Sequence, residues 1–362
     1  MQEKIQISTF ASHYRKYMIS FECDYNNGAH PKVIQHLLET NDMQSLTYGF
    51  DEWSDRAKES IRKACETPQA DIFFLTGGTQ ANTTIIDSML MTCEAVISAE
   101  SGHINVHEAG AVEAFGHRII PLHAENGKIT AKTLDNYMQW FINDESREHL
   151  AQPGLVYLTF PTEYGTIYSS DEMEEIYRTC QQYGLPLFID GARLGYGLMS
   201  LKSDITLPWL ARHCDVFYIG GTKVGALCGE AVVFPHHNAP KHFFSNIKRH
   251  GALLAKGRLT GIQFDALFTD NLYFDIASHA IDMAEKMKII LQEAGLQFYI
   301  DSPTNQQFVV IPNERMHRLE QHVQFTHWEP FDEQSMVCRF VTSWATTDED
   351  LTTLKRILEE IR

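Results

Sequence analysis

The chain lacks the features that mark several large classes of protein. Its seven cysteines are scattered and form no C-x-x-C pair, so we expect free thiols rather than a disulfide framework or zinc site. No window reaches the roughly 18 apolar residues of a membrane helix, and the first residues lack the apolar core of a secretory signal. Basic residues number 30 against 47 acidic ones, and a net charge of −17 argues against nucleic acid or anionic membrane as the main partner. We therefore expect a cytoplasmic globular protein.

Nucleotide-binding glycine patterns are also missing. Residues 71–82 (DIFFLTGGTQAN) give an apolar strand, a glycine turn and a helix to about Met91, without G-x-G-x-x-G or G-x-x-x-x-G-K-[ST]. The backbone N–H groups of Gly78 and Thr79 would lie at that helix's N-terminus, which is a ready site for a phosphate. An ordinary strand–helix turn has the same pattern, so this stretch alone leaves both interpretations open.

A lysine follows another apolar run, residues 216–219, in a loop that is rich in glycine. Taken alone, Lys223 is most simply a solvated surface charge. The alternative is a Schiff-base lysine, whose amine is kept reactive by partial burial. Only other parts of the chain can decide between the two.

Two further stretches place polar side chains next to strands. Asp190 ends an apolar strand and Arg193 follows it, at the position where open α/β sheets meet their ligands, although a local ion pair is the simpler alternative. His103 and His107 are four residues apart and could share a helix face. Because the sequence offers no H-E-x-x-H motif and no obvious third ligand, we expect no metal.

Strands and helices alternate for about 250 residues, which predicts a mostly parallel sheet between helices. Residues 260–294 are largely helical in pattern, and short strands alternate with helices after them. We expect two domains from the 362 residues. Residues 1–255 would form an N-terminal arm and a large domain, and residues 256–362 a bridging helix and a small α+β domain.

Four kinds of chemical group therefore follow one another at strand ends. They are an anion-binding loop, the flat ring of His103, the carboxylate of Asp190 and the amine of Lys223. Pyridoxal 5′-phosphate requires all four, for its phosphate, its ring, its ring nitrogen and its aldehyde respectively. The combination predicts that this cofactor binds here.

These motifs resemble those of the threonine aldolase branch of the β-eliminating lyase family, which are pyridoxal phosphate enzymes of fold type I. The matching stretches keep the family's order and are DYNNGAHP (24–31), TYG (47–49), TGGTQAN (76–82), GHIN (102–105), DGARL (190–194) and GGTK (220–223). The C-terminal third matches chiefly at RFVTS (339–343). The resemblance implies a large domain with a mostly parallel, seven-stranded type of sheet, and a homodimer or homotetramer with its sites at the subunit interface.

The resemblance also implies a role for each matching residue. Lys223 would bind the cofactor aldehyde, Asp190 would pair with the ring nitrogen, and His103 would stack on the ring. The other candidates are Gly78, Thr79 and Thr222 for the cofactor, Arg193 for its phenolic oxygen or the substrate carboxylate, and Arg339, Tyr48 and Asp24 for the substrate.

The implied reaction breaks the Cα–Cβ bond of a β-hydroxy-α-amino acid, such as L-threonine or L-allo-threonine, and gives glycine and an aldehyde. His103 is a suitable type of base for the β-hydroxyl proton. Glu163, which stands where some family members have a second histidine, is the other catalytic candidate. The alternative reactions are β-elimination, transamination and racemisation. A non-catalytic regulator is disfavoured by the presence of Lys223, Asp190 and His103 together.

Overall fold

A computed structural model describes residues 18–361 of the chain. Within this part, the strands are β1 Ile19–Ser20, β2 Asp71–Leu75, β3 Glu94–Ala99, β4 Arg118–Leu122, β5 Gln152–Thr159, β6 Leu187–Asp190, β7 Val216–Gly220, β8 Glu230–Phe234, β9 Gln297–Ile300, β10 Gln306–Pro312, β11 Val323–Gln324, β12 Thr326–Pro330 and β13 Ser335–Val341. The α-helices are α1 Pro31–Thr40, α2 Glu52–Cys65, α3 Gly78–Met89, α4 His103–Val106, α5 Ala131–Asn143, α6 Ser170–Tyr183, α7 Leu194–Leu198, α8 Leu207–Arg212, α9 Phe243–Arg249, α10 Arg258–Leu267, α11 Leu272–Glu293, α12 Asn313–Leu319 and α13 Asp348–Glu360.

The described residues pack into two compact units. The larger unit runs from Asn27 to Ser278, and the smaller one combines the residues up to Asn26 with those from His279 onward. The predicted domain boundary between residues 255 and 256 stays a prediction. Among residues 18–361, no helix is long and apolar enough to cross a membrane.

A seven-stranded sheet forms the centre of the larger unit, in the order β2-β8-β7-β6-β5-β3-β4. Strand β8 is antiparallel to its neighbours β2 and β7, and the pairs from β7 to β4 are parallel. Its middle strands are completely buried, as apolar runs covered on both faces by helices should be. The prediction of an α/β fold with a mostly parallel sheet is confirmed.

Helix boundaries in this unit follow local sequence signals. Ser169 caps helix α6 in a capping box with Glu172, and Gly184 ends the helix in the left-handed conformation at φ 67°. The sequence predicted this helix from Ser170 to Tyr183 with these flanking residues, and the prediction is confirmed.

Two glycines bring the ends of β6 and β7 into close contact. A Cβ atom on Gly191 would lie 1.9 Å from the carbonyl oxygen of Tyr218, and one on Gly220 would lie 2.3 Å from the carbonyl oxygen of Ala192. Only glycine allows backbones to approach this closely. The carboxylate of Asp190 and the loop that carries Lys223 therefore leave the same edge of the sheet side by side.

The smaller unit contains a four-stranded antiparallel sheet, in the order β12-β13-β10-β9, and strand β1 pairs in parallel with β11. Its apolar core includes Met287, Phe340 and Leu354. The predicted small α+β domain is confirmed as an architecture. The predicted helical stretch 260–294 is also confirmed, as helices α10 and α11 separated by a short break.

Candidate active site

The predicted anion-binding loop has the geometry that its sequence indicates. Gly77 is the N-cap residue of helix α3, and no side chain caps this end of the helix. Gly78 lies close to the Tyr218 hydroxyl, because a Cβ atom on Gly78 would come within 3.1 Å of that oxygen. The backbone N–H groups of Gly78 and Thr79 thus lie in the first turn of a helix that no side chain caps, and their binding of a phosphate stays a prediction.

Asp190 is the most heavily hydrogen-bonded carboxylate at this edge of the sheet. Its Oδ2 accepts bonds from Asn82 Nδ2 at 2.9 Å and from the Tyr157 hydroxyl at 2.5 Å. Its Oδ1 accepts bonds from the Tyr218 hydroxyl at 2.5 Å and from the backbone N–H of Ala192 at 2.9 Å. A carboxyl group that receives four hydrogen bonds is held in one orientation, and its ionised form is favoured.

The pKa of Asp190 reflects two opposed effects. Burial of this side chain, which is 1% exposed, disfavours the charged form and by itself raises the pKa. The positive charge of His103 and the hydroxyl donors of Tyr157 and Tyr218 more than offset burial, so the pKa lies below its ordinary value. Asp190 is therefore a buried anion at neutral pH, suited to stabilise a positive charge on a bound ring nitrogen.

His103 begins the short helix α4 and is tied into the same network. Its Nδ1 lies 2.7 Å from Glu108 Oε1, and that oxygen also accepts a bond from Asn82 Nδ2 at 2.7 Å. His107 lies nearby, with its ring centre 5.5 Å from that of His103. Within residues 18–361, no three His, Cys, Asp or Glu side chains are grouped so that they could hold a metal ion.

Glu163, the second catalytic candidate, contacts His103 through the backbone. Its Oε1 accepts bonds from the N–H of His103 at 2.8 Å and from the Thr159 hydroxyl at 2.7 Å. Burial raises the pKa of Glu163 despite these bonds. In this geometry Glu163 fixes the start of helix α4, and a catalytic role for it stays a prediction.

Lys223 lies half-buried in a loop that is held from several sides. The Tyr196 hydroxyl donates to the Lys223 carbonyl oxygen at 2.5 Å, and Thr222 Oγ1 donates to Glu230 Oε1 at 2.7 Å. Gly225 and Gly229 take positive φ angles of 89° and 126°, which few other residues could adopt. The amine of Lys223 is thus carried by a fixed backbone, as a covalent binding residue requires.

The remaining candidates fall in different places. Arg193 stands three residues after Asp190 and directly before helix α7. Tyr48 is 38% exposed, has φ 60° and lines a pocket with Thr76, just before the anion-binding loop. The predicted contacts of Arg193 and Tyr48 with cofactor or substrate stay predictions.

Asp24 and Arg339 belong to the smaller unit. Asp24 is buried and accepts a bond from Asn305 Nδ2 at 2.9 Å. The Arg339 guanidinium donates to Gln306 Oε1 at 3.1 Å and to Thr326 Oγ1 at 3.2 Å. Their predicted contacts with a substrate stay predictions.

Several residues of this site were not identified from the sequence. Tyr157 and Tyr218 stand inside apolar strands, where a buried hydroxyl needs a partner, and this was the one local signal available. Glu108 and Glu230 gave no signal, because a sequence does not show which groups a carboxylate meets once the chain is folded.

Comparison with known proteins shows the family of the chain. Residues 33–322 match the family model described as beta-eliminating lyase. A low specificity L-threonine aldolase of Pseudomonas aeruginosa is 28% identical over 94% of this chain and 96% of its own length. A second, from a Pseudomonas species, is 30% identical over 75% of this chain and 78% of its own.

The structures of two known proteins match the fold. The Leishmania major threonine aldolase superposes with a TM-score of 0.91 at 37% identity, and the match covers 94% of this chain and 99% of that one. A single mutant of Thermus thermophilus aspartate aminotransferase superposes with a TM-score of 0.70 at 13% identity, over 97% of this chain and 93% of that one, which indicates a shared fold alone.

The fold and the site define a pyridoxal phosphate enzyme of fold type I. The uncapped start of helix α3, the anionic Asp190, the imidazole of His103 and the amine of Lys223 fit the cofactor's phosphate, ring nitrogen, ring face and aldehyde. The chain belongs to the beta-eliminating lyase family.

Proposed function

We propose that the protein is a pyridoxal phosphate-dependent lyase that cleaves the Cα–Cβ bond of β-hydroxy-α-amino acids. Its proposed substrates are L-threonine and L-allo-threonine, which give glycine and acetaldehyde. The observation that carries the proposal is the buried, anionic Asp190 at the sheet edge from which the Lys223 loop leaves. The relatives named as threonine aldolases support this choice of bond.

Each candidate residue has a proposed binding role. Lys223 binds the cofactor aldehyde, and the N–H groups of Gly78 and Thr79 bind the phosphate. The remaining proposed roles follow the family resemblance: Thr222 and Arg193 contact the cofactor, and Arg193, Arg339, Tyr48 and Asp24 contact the substrate. A bidentate arginine is well suited to an α-carboxylate, which supports Arg339 or Arg193 in that role.

When bound, the cofactor supplies an aldehyde that condenses with amines and a positively charged ring that withdraws electrons from the bonds at Cα. Asp190 stabilises that positive charge because it remains ionised in its buried position. His103 offers Nε2 for the β-hydroxyl proton, because its Nδ1 is held by Glu108. Glu163 fixes the backbone of His103 and so holds this ring in place.

We further propose that the protein is a cytoplasmic homodimer or homotetramer with its sites at the subunit interface. Leu38, Leu46 and Phe50 expose 71%, 70% and 57% of their surface, and such apolar side chains favour association with another subunit. Seven free cysteines suit a reducing compartment. Light scattering of the purified protein measures the number of subunits.

A product assay tests the proposed reaction. The cofactor-loaded protein is incubated with L-threonine, L-allo-threonine or phenylserine, and glycine and aldehyde are measured. The same protein is incubated with serine or tyrosine, and pyruvate is measured. Equal amounts of glycine and aldehyde are expected, and pyruvate without glycine would show that the family chemistry here is β-elimination instead.

A further inference from the structure

A buried carboxylate connects two of the candidate cofactor residues. Glu108 Oε1 lies 2.7 Å from His103 Nδ1 and 2.7 Å from Asn82 Nδ2. The same Asn82 nitrogen lies 2.9 Å from Asp190 Oδ2. One amide and one glutamate thus join the ring of His103 to the central aspartate.

The environment of Glu108 indicates that its carboxylate does more than accept hydrogen bonds. Its side chain has no solvent exposure, and its second oxygen, Oε2, has no hydrogen-bond partner. A half-satisfied buried carboxylate is costly unless a positive charge lies beside it. A neutral glutamine could accept both bonds at Oε1, so orientation alone does not explain the carboxylate.

The ring of His103 becomes a cation that compensates Glu108 when its Nε2 takes up a proton. Among residues 18–361, the titratable groups that face this histidine include Glu108, Glu163, Asp190 and His107. Glu163 accepts the backbone N–H of His103, and Asp190 is occupied by four other donors. Glu108 is therefore the carboxylate that is aligned with the ring itself.

We infer that Glu108 is a positioning residue that prepares His103 to accept the substrate's β-hydroxyl proton. A carboxylate oxygen can only accept, so the Nδ1 proton points to Glu108 and the Nε2 lone pair is left for the substrate. The inference rests on the proposed lyase function and adds to it a residue that acts through the base. Carboxylates in Ser–His–Asp triads hold and stabilise an imidazole in this way.

The proton transfer is balanced within these groups. The substrate O–H bond breaks and an Nε2–H bond forms, while the oxygen electron pair becomes the second bond of the aldehyde carbonyl. The Cα–Cβ electron pair stays with the glycine fragment, whose Cα then takes a proton that comes from solvent. Glu108, which is aligned with Nδ1, stabilises the imidazolium, which returns its proton to solvent after the aldehyde has left.

The test is Glu108→Gln in the cofactor-loaded enzyme, because glutamine keeps the size and the Oε1 acceptor and removes only the charge. We expect kcat for threonine cleavage to fall about 100-fold, as for loss of a general base, with KM within about threefold and cofactor content unchanged. The matched control is Glu100→Gln. Glu100 accepts from His123 Nδ1 at 2.8 Å on the surface, and its variant should keep the wild-type kcat.

A second readout does not depend on turnover. Diethyl pyrocarbonate modifies the unprotonated ring of histidine, and peptide mass spectrometry measures the modification of His103 in cofactor-free protein at pH 7. Glu108→Gln should make this modification several-fold slower, since Nε2 is less nucleophilic when Nδ1 no longer donates to a carboxylate. If the wild type releases no glycine, the proposed function fails, while this rate still tests the inference about Glu108.

A double-mutant cycle separates action through His103 from a general structural effect. In a His103→Asn background, Glu108→Gln should change the residual kcat by less than about twofold. The inference is overturned if Glu108→Gln keeps kcat within about threefold, leaves the modification rate unchanged, or still costs about 100-fold without His103. If the glutamine variant does not fold, Glu108→Asp is used instead, because its shorter side chain moves the carboxylate away from His103 by one methylene. An unchanged kcat in the aspartate variant would equally overturn the inference.

Discussion

The buried carboxyl group of Glu230 makes the folded protein less stable as the pH rises. It lies under the Lys223 loop and accepts bonds from the Thr222 hydroxyl at 2.7 Å and from the N–H of Gly221 at 3.1 Å. Burial, which outweighs these bonds and the charge of Lys223, raises the pKa of Glu230 from 4.5 to about 8. Between these values the unfolded chain has released the proton and the folded chain retains it, so stability is lost as the pH rises.

The size of the effect follows from the two pKa values. Each pKa unit corresponds to about 1.4 kcal/mol, so Glu230 costs the folded state about 5 kcal/mol once the pH is well above 8. Between pH 5.5 and 8.5 the loss is about 3 kcal/mol. Glu230→Gln, which keeps the shape and cannot ionise, should remove this loss.

Urea unfolding of the cofactor-loaded protein across this pH range measures the free energy of unfolding and so tests the prediction. The free energy of unfolding of the wild type should fall by about 3 kcal/mol relative to Glu230→Gln between pH 5.5 and 8.5. Glu175→Gln, at an exposed glutamate of the same unit, should follow the wild type. Parallel pH curves for the wild type and Glu230→Gln would refute the reasoning.

Two substitutions examine the candidate binding residues. Asp190→Asn keeps the shape but removes the anion opposite the ring nitrogen, so we expect weaker cofactor binding and about a 100-fold loss of threonine cleavage. Equilibrium dialysis measures the binding and the glycine assay measures the cleavage. Unchanged values in both would contradict the role of Asp190. Arg339→Ala should raise the KM for threonine by about 10- to 100-fold, because a carboxylate loses charged hydrogen bonds, without loss of cofactor. Release of the cofactor from that variant would show that Arg339 binds the cofactor and that its assignment to the substrate is wrong.

The fold was predictable because its signals are local. The buried strands β6 and β7 are continuous apolar runs, and helix α6 carries its cap and its terminating glycine next to it in the sequence. The four groups that predicted the cofactor also follow strands directly. Their convergence then follows from the parallel arrangement, since the carboxyl ends of parallel strands lie at one edge of the sheet.

The residues that support this site were not predictable in the same way. Tyr157 and Tyr218 bond to Asp190, which is 33 and 28 positions away in the sequence. Glu108 contacts His103 close by in the sequence and Asn82, 26 positions away, and a single sequence does not show that these groups meet. Glu163 shows the opposite difficulty. Its place in the motif suggested chemistry at the carboxylate, whereas its position in space shows a hydrogen bond to the backbone of His103, which the motif could not indicate.

The lysine that binds the cofactor can be identified directly by covalent trapping. The protein is loaded with pyridoxal phosphate, reduced with borohydride so that the lysine–cofactor bond becomes permanent, and digested for mass spectrometry. We expect one modified peptide, carrying the phosphopyridoxyl group on Lys223, and none in Lys223→Ala. A modification on a different lysine, or its persistence in Lys223→Ala, would contradict the role of Lys223.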